Sequence, residues 1–325
     1  MTTRFDVAVM HDFFVDRLVR AKRISSFAAS LDRKARQGGG GIHGVAQQDI
    51  KGGNAVNLAH ALAKLGLRTL LITHSDTAHE RILLQPFEAL NAEVRVKRKP
   101  PGLTVAIEGE VNVMLGHLGG AGDFGQSLLT EVDWEALRGA RVVCSVNWAA
   151  NKRGTQLLLG LREKLGSRAV LFFDPADFRD RAEQFAVLLA KARRARLADW
   201  ISLNEHEAVE AARLMSLEVE GPGEACAILS RELGSCIDVH SASRCFTSGC
   251  DGSRPSRLVS IANRRAEPRR MTGAGDVWNA ASIYGRLRGF GDSKRLVFAS
   301  TAARLYVEAI DPAPPSLSEV LEALG

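Results

Sequence analysis

The chain has 325 residues, 46% of them hydrophobic and 25% charged, with a formal net charge of +6. That is enough apolar material to bury a sizeable core, which excludes a largely disordered chain, and the length suits one large domain with an elaboration or two small ones. The locally basic run 179–196 falls on an amphipathic helix with the single aromatic Phe185 and no repeated interleaving of aromatics, and no apolar run approaches the roughly 18 residues of a membrane span, so neither nucleic acid nor a membrane is an expected partner.

In chain order, residues 5–10 read as a short buried strand, and Asp12 and Asp16 follow at its C-terminal end, the edge where parallel sheets bind ligands. Residues 18–49 are polar, carry Gly38 to Gly41 in a row and keep no clear period, so they read as an excursion from the core. No Gly-Lys-Ser/Thr follows those glycines, which rules out a Walker A loop. Gly52-Gly53-Asn54-Ala55-Val56-Asn57 opens a helix that runs to a cap at Gly66. Paired glycines admit the close approach of a ligand, and an amide both donates to and accepts from hydroxyls, which makes Asn57 a candidate ligand; Asn54 reads as an N-cap.

From there the pattern becomes regular: strand 69–73, helix 78–90, alternating strands over 93–118, strand 141–146, helix 151–165, strand 169–173 and helix 178–197. Strands alternating with helices imply a parallel sheet covered on both faces. Gly120-Ala121-Gly122-Asp123 leads into a broken run and reads as a loop. Asn204 and Glu207 fall within one helical turn, as an N-cap and its capping-box partner would. The cysteines at 144, 226, 236, 245 and 250 are odd in number and lack Cys-x-x-Cys spacing, which points to reduced thiols in a cytoplasmic protein and away from a disulfide framework or a zinc site.

The most informative stretch is Gly273-Ala274-Gly275-Asp276. Val277, Ala280, Ala281, Tyr284 and Leu287 recur behind it at helical spacing, so a helix begins near Ala274. Open N–H groups in a glycine-rich first turn, reinforced by the helix dipole, make an anion site, and Asp276 beside it is placed to accept a proton from an attacking hydroxyl. Another helix spans 293–309, and 312–315, bounded by Pro312 and Pro315, separates it from a short terminal one.

The Gly273–Asp276 run, the Gly52–Asn57 run, Asp16 and the Asn204/Glu207 pair resemble, in the same order, the motifs of the ribokinase-like (PfkB) family of carbohydrate kinases, over nearly the whole chain. Asp174-Pro175 with Arg179 extends the likeness. The resemblance implies an α/β fold, a ribokinase-like doubly wound, mostly parallel sheet with helices on both faces and a small β-sheet lid. It implies one domain over 1–325, with lid segments at about 13–50 and 93–118. It further implies transfer of the ATP γ-phosphate to a hydroxyl of a sugar or sugar derivative, with Asp276 as general base and Gly273, Ala274 and Gly275 as anion hole. Asp16, Gly52, Gly53 and Asn57 would hold the acceptor, Asn204, Glu207 and Ser241 the nucleotide side, and Glu207 would act on Mg2+ through water. The alternatives are a nucleoside kinase of the same family and a catalytically weak ligand-binding homologue; a homodimer through the lid is also implied.

Two departures stand out. Arg270 and Met271 replace the family's Asp-Thr, and 237–243 carries no Thr-x-Gly. In many members that Asp helps bind an activating monovalent cation. A guanidinium has no lone pair for a metal, so potassium is expected to be dispensable here.

Overall fold

Alternate residues of Val7–Met10 (β1) pack to opposite sides: Val7 and Val9 join one apolar cluster, Ala8 and Met10 another. A strand buried on both faces in this way belongs in the middle of a covered sheet. The computed structural model describes residues 5–21, 23–109, 112–249, 257–311 and 313–325; of the residues named above, Cys250 and Pro312 lie outside them. Along the chain follow β2 (Phe14–Arg20), β3 (Ala46–Gly52), β4 (Thr69–Ser75), β5 (Ala92–Arg98), β6 (Gly102–Glu108), β7 (Asn112–His117) and β8 (Val142–Val146). After them come β9 (Val170–Asp174), β10 (Trp200–Asn204), β11 (Cys236–His240), β12 (Arg244–Ser248) and β13 (Leu258–Ala262). Among the described residues the large sheet has the order β13-β12-β11-β10-β9-β8-β1-β4-β5, and a small one the order β3-β2-β6-β7. The large sheet is parallel from β5 to β11 and antiparallel only through β12 and β13.

The helices are α1 (Ile24–Arg36), α2 (Asn54–Lys64), α3 (Glu80–Leu84), α4 (Glu131–Gly139), α5 (Gly154–Leu165), α6 (Ala182–Arg194), α7 (Glu205–Leu214), α8 (Pro222–Leu233), α9 (Ala274–Leu287), α10 (Asp292–Glu308) and α11 (Leu317–Leu324). Side chains of α4 to α8 fill one apolar layer, and those of α2, α9, α10 and α11 the other. Every residue of α9 from Asp276 to Gly285 is buried. A fully buried ion pair fixes that helix: Arg295 of α10 donates to both carboxylate oxygens of Asp238 on β11, at 2.6 and 3.0 Å, and Ser282 of α9 donates to the same carboxylate at 2.9 Å.

Four sequence expectations change. The lid is smaller than 93–118, because β5 pairs with β4 in the large sheet and only β6 and β7 complete the small one. The helix expected over 78–90 stops at Leu84 and passes into a 3-10 turn, Gln85–Phe87, where Pro86 has no N–H to continue it. The run 18–49, read as unpatterned, contains α1, an amphipathic but largely polar helix with no buried residue. Cys236 is disulfide-bonded, against the expectation of reduced thiols, while Cys144, Cys226 and Cys245 are free and buried. Gly119–Asp123 is a 3-10 turn whose Asp123 pairs with Lys99 and Arg153, so it is no second anion loop. No helix among the described residues is long and apolar enough to cross a membrane.

Candidate active site

The parallel strands end on one edge, and that edge carries the polar residues: Asp12 after β1, Asn147 after β8, Asp174 on β9, Asn204 on β10 and His240 on β11. Asp12 is fully buried and accepts from the backbone N–H groups of Asn54 and Ala55 at 2.8 and 2.9 Å and from Asn147 Nδ2 at 2.8 Å. It caps the start of α2, whose N-cap position is Gly53, and so fixes where that helix begins. Gly52 is needed for a different reason: a Cβ there would lie 2.1 Å from Asp16 Oδ2, so the carboxylate occupies the space of the missing side chain.

Two amides from the first turn of α2 reach the first turn of α9. Asn54 Nδ2 donates to Asp276 Oδ1 at 3.1 Å and Asn57 Nδ2 to Oδ2 at 3.2 Å. Lys51 Nζ donates in turn to Asn57 Oδ1 at 2.7 Å. Asp276 is 5% exposed. Burial pushes its carboxyl well above the usual range, the charge of Asp174 adds to the rise, and Asn57 and Lys51 oppose it. Among the described residues no backbone carbonyl accepts from the N–H of Gly275 or Asp276, whereas the Ala274 N–H turns back to Met271 O at 3.2 Å. The turn that opens α9 depends on Gly273, which has φ 84° and whose added Cβ would lie 2.8 Å from Tyr306 Oη.

Arg270 is half-buried and held in place, unlike an ordinary loop arginine. Its Nη2 donates to the carbonyls of Ala309, at 3.1 Å, and Ile310, and its guanidinium carbon lies 5.5 Å from the centroid of Tyr306. Tyr306 Oη donates to Thr272 O at 3.2 Å, so Arg270, Tyr306 and the α9 loop form one unit.

A cavity of about 870 Å³ opens beside these groups, lined by Asp16, Lys51, Asn57, His60, Thr272 and Tyr306 among others. Asp16 is buried there; desolvation raises its pKa to about 6 against the lowering by a Thr104 hydrogen bond and the Lys51 charge. Burial pushes Lys51 down to about 8, while Asp276 and Asp16 hold its proton on.

On the other side of α9 the carboxylates thicken. Asp174 accepts from Ala176 N at 2.8 Å and from Asn279 Nδ2 at 2.7 Å, and Asn279 in turn accepts from Ser202. Desolvation raises Asp174 to about 6, with the Asp12 charge adding to it. Glu207 and Asn204 form a capping box on α7, and desolvation together with the Asp174 charge raises Glu207 to about 8. A buried and a half-buried carboxylate that repel each other, with hard oxygens and lone pairs to spare, suit a magnesium ion that keeps several of its waters. Among the described residues no three His, Cys, Asp or Glu converge as a closed metal cage.

The structure therefore brings Asp276, Asn57 and Asp16 to one place, with Gly52 and Gly53 shaping it, and pairs Asn204 with Glu207 as the sequence predicts. Ser241 is at the end of β11, yet its hydroxyl closes the turn to β12 by donating to Arg244 O at 2.9 Å. His240 stands where the Thr-x-Gly was absent: its ring lies 5.1 Å from that of Trp278 and 3.2 Å from where a Gly275 Cβ would be. Sequence reasoning missed Lys51, the Asn54 contact and the placement of Asp174, all of which depend on pairs far apart in the chain.

The family model described as pfkB family carbohydrate kinase matches residues 26–318. None of the curated proteins compared with the chain matches it. Among solved structures, adenosine kinase from Sinorhizobium meliloti superposes with a TM-score of 0.79 at 17% identity, covering 99% of this chain and 100% of that one. Arabidopsis thaliana ribokinase, complexed with ribose and ATP, gives 0.76 at 19%, covering 99% of each. A ribokinase II homologue from E. coli in complex with ATP and Mg2+ gives 0.78 at 14%, covering 98% and 99%. At these identities the likeness is one of fold.

Proposed function

Because the chain belongs to the pfkB family of carbohydrate kinases, we propose that it transfers the γ-phosphate of ATP to a hydroxyl of a sugar or a sugar-bearing compound. The observation that carries this reading is the buried Asp276, held by two amides at the start of α9 beside open backbone N–H groups. Asp276 would take the proton of the attacking hydroxyl, and the 273–275 loop, with the Asp276 N–H, would stabilise charge developing on the phosphate. Asp16 and Asn57 would orient the acceptor in the adjoining cavity. Asn204 and Glu207 sit on the nucleotide side, where Glu207 and Asp174 would hold Mg2+ through its waters and so neutralise phosphate charge. Ser241 could serve that side only by leaving its turn.

A nucleoside acceptor is the second reading: beyond Asp16 and Asn57 the cavity continues past apolar Leu18, Ile82, Pro86, Ala106 and Met114, a wall that suits a base. The outer face of the lid exposes Leu103, Val113 and Leu115, which supports a homodimer through this sheet, to be read by sedimentation. The deciding experiment follows ADP release from ATP and Mg2+ across a panel of sugars and nucleosides. Turnover of sugars alone selects the first reading and of nucleosides the second; turnover of none, with ligand-induced stabilisation, selects a binding protein.

A further inference from the structure

We propose that Lys51 is a positioning residue: it fixes the side-chain amide of Asn57, and through it the carboxylate of Asp276. The inference rests on the kinase reading above and adds a residue that the family motifs do not cover.

An asparagine amide can turn by half a rotation and exchange its donor for its acceptor at almost no steric cost. At Asn57 the two orientations are far from equal. Lys51 Nζ lies 2.7 Å from one end of the amide and Asp276 Oδ2 lies 3.2 Å from the other. An ammonium can only donate and a carboxylate chiefly accepts, so one orientation satisfies both neighbours and the other sets donor against donor and acceptor against acceptor. Asn54 holds the other oxygen of Asp276 at 3.1 Å, but its amide has no such cation behind it among the contacts described. Lys51 is thus the group that decides which way the Asn57 amide faces.

Its position in the fold gives the contact meaning. Lys51 is on β3 of the small sheet, opposite Val15, while Asn57 is on α2 and Asp276 on α9. The charged and titratable groups around it are Asp16 from β2, Asp276 from α9 and His60 from α2. Burial leaves His60 neutral at ordinary pH, with its pKa near 3, so the positive charge in this corner comes from Lys51. That charge also holds the carboxyl of Asp276 down against its burial. Lys51→Met therefore removes both the anchor of the amide and the cation beside the base, while keeping the length of the side chain.

The test is a double-mutant cycle over Lys51→Met and Asn57→Ala, with ribose and adenosine as acceptors, ATP and Mg2+. Lys51→Met is expected to lower kcat by about tenfold or more with little change in the KM for ATP. In the Asn57→Ala background the same change should cost far less, because the amide it acts through is gone. Lys51→Arg, which keeps a donor and the charge, should recover most of kcat. Full multiplicativity of the two kcat losses overturns the proposal, as does a Lys51→Met enzyme that changes only the acceptor KM. The same cycle is run in urea unfolding, where the Lys51–Asn57 contact should give a non-zero coupling whatever the acceptor. If the wild type turns over neither probe, it is the kinase reading that fails for them, and the unfolding cycle alone decides: coupling keeps Lys51 as the anchor of Asn57, and its absence removes it.

Discussion

Asn57 and Asp276 stand 219 positions apart in the chain and 3.2 Å apart in the fold. The contact joins the first turns of two helices, and both turns are glycine-led, so neither helix start carries bulk that would keep the other away. Everything expected of the site depends on that closeness.

Asp276→Asn is expected to lower kcat by at least about 10²-fold, the usual scale for losing general-base help. Burial and the Asp174 charge already raise the pKa of the native carboxyl, so its charge is costly to keep and a neutral isostere should fold with a similar melting midpoint. Retention of most turnover, with chemistry rate-limiting, would remove Asp276 from the mechanism.

Asp16→Ala and Asn57→Ala should weaken the acceptor by about 1–3 kcal/mol each while leaving the affinity for ATP nearly unchanged, because both face the cavity. Calorimetric titration with each ligand measures the split. Equal losses for both ligands would place these residues elsewhere in the reaction.

Potassium should not activate the enzyme. Arg270 already delivers a fixed positive charge to the carbonyls of Ala309 and Ile310 beside the α9 loop. Turnover across a potassium titration at constant ionic strength should be flat for the wild type and reduced for Arg270→Ala. A wild type that responds strongly to potassium, or an Arg270→Ala enzyme as active as its parent, contradicts this.

The raised carboxyls Glu207, Asp174 and Asp16 should contribute less stability to the ligand-free protein as pH rises from about 4.5 to 8, while the buried neutral imidazoles of His60, His74 and His240 work the other way below about 6.5. Glu207 has its folded pKa raised to about 8, and Asp174 and Asp16 theirs to about 6, so over this window the folded chain holds protons the unfolded chain has released. Their contribution is full below the unfolded values and is lost as pH passes the folded ones. Thermal midpoints at pH 6.5 and pH 8, above the range in which those histidines oppose it, measure the Glu207 part of the slope, and Glu207→Gln, which can keep the capping box, should flatten it. Magnesium should restore more at pH 8 than at pH 5, since it competes with those protons.

Arg295→Ala should destabilise the fold by roughly 3–5 kcal/mol, because it leaves Asp238 charged and buried without its cation. Urea unfolding reads this directly. A loss no larger than that of an exposed pair such as Arg213 with Glu210 would mean that the hydroxyls of Ser282 and Thr247 suffice for Asp238.

Much of the fold was legible because its signal is local. The alternation of strands and helices set out the parallel sheet, and the glycine-led starts of α2 and α9 marked the two helix ends that meet at Asp276. What stayed hidden is what the chain assembles at a distance. Val94 and Val96 alternate in the same way whether β5 edges the large sheet or the small one, so its membership could not be read. Lys51 looks like any charged strand residue until Asn57 and Asp276 are folded against it. Arg270 beside Arg269 reads as a solvated basic run, and only the carbonyls that close over it from the end of α10 make it otherwise.

The small sheet and the helix that carries both amides are joined by a hinge one residue long. β3 ends at Gly52, α2 begins at Asn54, and Gly53, with φ 96°, is all that lies between. Asp12 grips the helix side of that joint, leaving Gly53 little freedom to absorb a displacement of the strand. A push on the sheet is then either stopped at Asp12 or passed on to Asn54 and Asn57, so the grip on Asp276 doubles as a gauge of how the sheet is seated.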